Sequence, residues 1–151
     1  MSGDSAIVHA TAVAIGGRAV LLRGASGSGK SDLALRLIDA GARLISDDYS
    51  LLRRENEAVR VRAPEPISGL IEVRGLGILR VEALAEAPLA LIADLVAPQD
   101  VERMPEPHSE TVFGLSIPVV EVAPFEASAA VKLRFALAAL TGGGTGPVTM
   151  P

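Results

Sequence analysis

The 151-residue chain has no cysteine and no tryptophan, and one tyrosine and three phenylalanines leave aromatics at 3%. Without thiols it forms no disulfide, holds no cysteine-ligated zinc and runs no thiol chemistry. With so few rings the core has to be aliphatic, and 49% hydrophobic residues suffice to build one at this length. An excess of positive charge is missing too. Fourteen basic against 18 acidic side chains give a formal net charge of −4, which argues against a nucleic-acid surface. The longest apolar runs reach about a third of the roughly 20 residues that span a bilayer. Asp4 stands where a signal peptide would carry positive charge. A cytoplasmic protein, with neither membrane nor nucleic acid as partner, is therefore expected. Lysine is scarcest of the charged types: of the basic residues only Lys30 and Lys132 are lysines.

Residues 1–5 and the Gly-rich tail 141–151 (TGGGTGPVTMP) read as disordered ends of a single domain over 6–140. Within that domain the β-branched run 6–15 reads as a strand, Gly16-Gly17 as a hairpin turn and 18–23 as its partner. Apolar residues at 33, 34, 37 and 38 predict a helix over 30–40, with Gly41 placed to cap it. A short strand at Leu44-Ile45 runs into Asp47-Asp48, and a hairpin over 50–62 turns at Glu55-Asn56-Glu57. A short helix or extended piece then leads to Glu72. Strands are expected over 89–96 and 116–122, separated by an exposed, Pro-bearing loop over 98–113 in which His108 is solvated. Pro124-Phe125-Glu126 opens a last helix to about residue 140. The fold class is α/β with a mixed sheet.

Gly24-Ala25-Ser26-Gly27-Ser28-Gly29-Lys30-Ser31 has the G-x-x-x-x-G-K-[ST] spacing of a phosphate-binding loop, or P-loop. Glycines let successive backbone N–H groups turn inward, and the helix that follows adds its dipole. Lysine brings a mobile charge to the phosphates, and the Ser31 hydroxyl suits Mg²⁺. That required lysine is one of only two in the chain. Asp47 and Asp48, at the end of a strand, have the chemistry to hold Mg²⁺ or to accept a proton from an attacking hydroxyl. Asp94, ending the apolar run LALIAD, is a rival for the metal. Glu72 and Arg74, two apart, would share a strand face ahead of Gly75 and Gly77. Read without further context, His9 on its apolar strand is a core histidine.

These pieces together resemble the C-terminal catalytic domain of bacterial HPr kinase/phosphorylase. The likeness rests on His9 in VHATAVAI, on GASGSGKSDLALRLIDAGARLISDD from Gly24 to Asp48, on EVRGLGI from Glu72 to Ile78, and on LSIPV from Leu115 to Val119. The resemblance implies a P-loop nucleotide-binding domain of phosphoenolpyruvate-carboxykinase-like topology. It implies an ATP- and Mg²⁺-dependent serine kinase acting on the phosphocarrier protein HPr, with phosphorolysis of the phosphoserine as the reverse reaction. By the same resemblance residues 24–31 hold the nucleotide, and Ser31, Asp48 and Glu72 lie toward the metal. Asp47 would be the general base, with His9 near the carboxylate pair and Arg74 near the transferring phosphate.

Two departures stand out. The family's Pro-Gly-Arg-Asn loop is replaced by Val120-Glu121-Val122-Ala123-Pro124, and the chain starts almost at the first catalytic strand, as in short single-domain members. Two other functions use the same loop. A small-molecule kinase usually needs an arginine-bearing lid, for which there is no room between Asp48 and Leu89. A nucleotide-sensing module is expected if loss of the basic loop disables transfer. A homo-oligomer stays open, because the apolar excess suits an interface as well as a core.

Overall fold

The computed structural model describes residues 4–64 and 69–140, so the 141–151 tail, residues 1–3 and Pro66 lie outside it. The chain runs β1 (Ser5–Val8), β2 (Ala10–Ile15), β3 (Arg18–Arg23), α1 (Lys30–Asp39), β4 (Arg43–Ser46), β5 (Ser50–Glu55) and β6 (Ala58–Arg62). It continues through β7 (Leu70–Val73), β8 (Gly77–Arg80), β9 (Glu86–Leu95), β10 (His108–Val112), β11 (Leu115–Val122) and α2 (Ala129–Leu140). One curled sheet has the order β1-β5-β6-β9-β3-β2-β4, with β11 also on β9 and β10 outside it. The sheet is mixed. β9 runs parallel to β3 and β11, whereas β2 is antiparallel to β3 and β4. The short β7-β8 ribbon stands apart from it.

Alternation along the strands builds two aliphatic layers. Val13, Val20 and Leu22 point to the face covered by Leu33 and Leu37 of α1 and Leu133 and Leu137 of α2. Ala12, Ala19 and Leu21 point into the curl, against Leu52, Val61 and Ile117. In β9 the alternation slips: Leu89 and Ile92, three apart, face the same layer. A register shift between Ala19 and Val20 against β9 absorbs the extra residue.

Several sequence expectations change. The strand expected over 6–15 is two strands, because β1 pairs with β5 while β2 pairs with β3 and β4, and His9 marks the break. Ser5, expected among disordered residues, already belongs to β1. The loop expected over 98–113 contains β10, an edge strand whose exposed positions carry polar side chains and so hide the alternation. Arg74 does not share a strand face with Glu72, because β7 ends at Val73 and the chain turns. The last helix starts at Ala129 rather than Pro124.

Candidate active site

β3 delivers the chain into the glycine-rich loop 24–31, and α1 takes it away. At the junction Gly29 sits at φ 102°, and α1 has no side-chain N-cap, so its first-turn N–H groups lack that partner. Lys30, only 5% exposed, folds its ammonium back onto the carbonyls of Gly24 (2.9 Å) and Ala25 (3.0 Å). The nearest carboxylate oxygen, Asp48 Oδ1, is 3.9 Å from that ammonium. A buried cation with two neutral acceptors and one distant carboxylate is under-neutralised, and an anion completes it. The Ser28 hydroxyl is buried with no hydrogen-bond partner among the described residues, and a Cβ on Gly24 would stand 2.4 Å from it. Open helix amides, an under-neutralised lysine and a spare hydroxyl fit a polyphosphate.

The carboxylates arrive from β4. Ser46 starts a tight turn in which the Tyr49 N–H donates to the Asp47 carbonyl at 2.8 Å, with Asp48 between them at φ 69°. This is a γ-turn, a conformation that a side-chain-bearing residue adopts only under local constraint. It separates the adjacent carboxylates. Asp47 Oδ1 accepts from the Ser31 hydroxyl at 2.6 Å and the Thr11 hydroxyl at 3.3 Å. Asp47 Oδ2 accepts from the Glu72 backbone N–H at 3.0 Å. Asp48 instead turns to His9, whose Nε2 lies 2.8 Å from Oδ1. Its backbone N–H donates to Thr11 Oγ1 at 2.9 Å. The Tyr49 ring stacks on the His9 ring with centroids 5.1 Å apart.

The structure thus brings together Lys30, Ser31, Asp47, Asp48 and His9, along with the backbone of Glu72. His9 is at the site and not in the core. The Glu72 side chain is exposed. Arg74 stands exposed in the β7-β8 turn and makes no hydrogen bond or ion pair among the described residues. Asp94 is claimed by Arg23, which donates to both of its oxygens at 2.7 and 3.0 Å and to both Glu110 oxygens at 2.8 and 2.9 Å. Its hydrogen bonds to the Asp94 and Glu110 carboxylates raise the Arg23 pKa above its ordinary value, and the Arg23 guanidinium holds Glu110 below the usual carboxylate range.

Thr11, Tyr49 and the Arg23 cluster were not expected from the sequence. Thr11 had a signal: it is a polar side chain inside the otherwise apolar β2. Among the described residues no cluster of three His, Cys, Asp or Glu side chains forms a ready metal cage. Mg²⁺ does not require one, since it commonly uses one or two protein oxygens with phosphate oxygens and water. The hard oxygens of Ser31 and Asp47 suit it.

The family model for the HPr Serine kinase C-terminal domain matches residues 3–129. The HPr kinase/phosphorylase of Leptothrix cholodnii is 38% identical over 128 residues, 76% of this chain and 39% of that protein. The HPr kinase/phosphorylase of Bacillus subtilis is 46% identical over 78 residues, 51% of this chain and 25% of that protein. The chain therefore spans about two fifths, or less, of the length of these curated relatives. Among solved structures, the Hpr(Ser) kinase/phosphatase of Coxiella burnetii superposes with a TM-score of 0.76 at 25% identity, over 91% of this chain and 90% of that one. A matched domain model, a relative 38% identical over 76% of the chain and a shared fold lead to one conclusion: the chain belongs to the HPr serine kinase C-terminal domain family.

Proposed function

We propose that this chain is an ATP- and Mg²⁺-dependent kinase that phosphorylates a serine of HPr, on a P-loop of phosphoenolpyruvate-carboxykinase-like topology. The observation that carries this reading is the convergence of Lys30, Ser31, Asp47, Asp48 and His9 at the uncapped start of α1. The names of the matching relatives point to the same substrate. When bound, Mg-ATP supplies the phosphoryl group and the metal charge that makes it electrophilic.

The chain's own residues divide the remaining work. The backbone of residues 24–31 and the Lys30 ammonium hold the polyphosphate and offset its charge. Ser31 supports the metal. The two carboxylates exchange the roles expected from the resemblance. Asp47 already accepts from Ser31, Thr11 and the Glu72 amide, which suits it to orient the metal side of the site. Asp48 is about half exposed, lies beside Lys30 and has an oxygen, Oδ2, with no hydrogen-bond donor among the described residues. That supports Asp48 as the acceptor of the serine proton, because a poor nucleophile needs a base within hydrogen-bond reach as the new bond forms. His9 orients the carboxylate from its other oxygen, and Tyr49 steadies the imidazole. Arg74, on an exposed turn ahead of Gly75 and with no partner to release among the described residues, is available to meet the incoming phosphoryl group.

Purified chain, Mg-ATP and HPr are incubated and phosphoserine is measured by mass spectrometry. Asp48→Asn should bind ATP within about twofold of wild type and lose about 10²–10⁴ in turnover, the usual contribution of a general base. Asp47→Asn should instead raise the Mg²⁺ concentration needed for half-maximal rate. Wild-type turnover in Asp48→Asn would overturn the assignment of the base. ATP binding with no transfer by the wild type would favour the sensing module.

A further inference from the structure

Phe125 is one of three phenylalanines in a chain without tryptophan, and it is 71% exposed. It nonetheless lies directly against the glycine-rich loop. A Cβ built on Gly29 would lie 2.9 Å from Phe125 Cζ and 3.1 Å from its Cε1, so only a glycine lets the ring come this close. The backbone on either side of the ring is braced. Arg36, on the second turn of α1, donates to the Glu126 carbonyl at 3.2 Å and to the Pro124 carbonyl, and pairs with Asp32 at 2.9 Å. The helix that begins in the loop therefore also anchors the segment that sets the ring beside it. An exposed ring gains little from burial, so its contribution to the core does not account for this brace.

We propose that Phe125 is the platform on which the base of a nucleoside triphosphate stacks when its phosphates occupy residues 24–31. This rests on the nucleotide-binding reading above and extends it to the part of the ligand that the loop itself does not hold. Stacking on a single aromatic face tolerates any purine, because each presents a π-surface. The platform therefore accepts ATP and GTP with similar affinity, and the loop recognises only the phosphates.

Calorimetric titration with Mg-ATP, Mg-GTP and Mg-tripolyphosphate tests this on wild type, Phe125→Ala and Phe125→Trp. Phe125→Ala should weaken ATP and GTP about tenfold, in line with the loss of one base-stacking contact. Tripolyphosphate should bind within twofold of wild type. Phe125→Trp should retain ATP binding, and its fluorescence, the only tryptophan signal in the chain, should be quenched by ATP and not by tripolyphosphate. Unchanged ATP affinity in Phe125→Ala would overturn the proposal, and so would an unquenched tryptophan. Equal losses for ATP and tripolyphosphate would also overturn it, by showing that the ring only supports the loop. If wild type binds tripolyphosphate and ATP equally well, the platform fails while the phosphate loop stands. If it binds neither, the nucleotide reading itself falls.

Discussion

Gly29→Ala should destabilise the protein by about 2–3 kcal/mol, from two separable causes. The first is backbone strain. Gly29 has φ 102° and ψ 13°, where a side-chain-bearing residue costs about 1–2 kcal/mol. The second is crowding. The new methyl would stand 2.9 Å from Phe125 Cζ and 3.1 Å from both Phe125 Cε1 and Pro124 Cβ. Relaxed carbon contacts lie at about 3.5–4.0 Å. The exposed phenyl ring can swing aside cheaply. Pro124 cannot, because Arg36 holds its carbonyl, so the crowding cost is about 1 kcal/mol, the low end for overpacking. Gly41→Ala is the control: its φ is 111° with nothing within 4 Å of a new Cβ, so it carries the strain alone. At about 2–4 °C per kcal/mol for a chain of this size, Gly29→Ala should melt about 2–4 °C below Gly41→Ala. Thermal unfolding followed by far-UV circular dichroism measures both. Equal melting temperatures would refute the close packing of the 124–125 segment on the loop. Two variants that both melt within 1 °C of wild type would refute the backbone argument as well.

Two further perturbations probe the neighbouring clusters. Arg23 holds Glu110 below its ordinary value of 4.5, so the stabilisation from this pair is complete above that value and fades as pH falls through the lowered one. Urea unfolding from pH 7 to pH 3 should therefore show Glu110→Gln less stable at neutrality and converging on wild type at the acid end, and a constant difference would refute the linkage. Asp48→Gly should melt about 2–4 °C above Asp48→Ala, although it is the smaller residue, because at φ 69° only glycine escapes a strain of about 1 kcal/mol. The reverse order would mean that the γ-turn at Asp48 is not strained.

Local chemistry was legible wherever one short segment decides it. The β2-β3 hairpin follows from Gly16-Gly17, α1 from its apolar spacing, and the β5-β6 turn from Asn56, which takes φ 56° as asparagine readily does. What the sequence concealed depends on partners far along the chain. The run 6–15 is uniformly strand-forming, and it divides only because the curl of the sheet sends its halves to β5 and to β3. β10 was hidden because an edge strand exposes one of its faces, and exposed positions are free to be polar. Asp94 looked like a metal ligand because it ends an apolar strand. Its neighbour across the parallel pairing of β3 and β9 is Arg23, a match fixed by a register shift that no local pattern announces.

The same distinction governs the site. Spacing singled out the glycine-rich loop and the paired aspartates, which the fold brings together, whereas Glu72 was singled out by the resemblance and only its backbone reaches Asp47. Which aspartate does what could not be read from spacing, because Asp47 and Asp48 are neighbours of identical chemistry and composition treats them alike. A single left-handed torsion at Asp48 separates them. It turns one carboxylate toward Ser31 and the Glu72 amide and the other toward His9 and Lys30. Thr11 locks that separation from β2, donating to the first carboxylate while accepting from the backbone of the second. If the two aspartates have different jobs, the difference was made by a turn, and removing Thr11 should blur it before either carboxylate is touched.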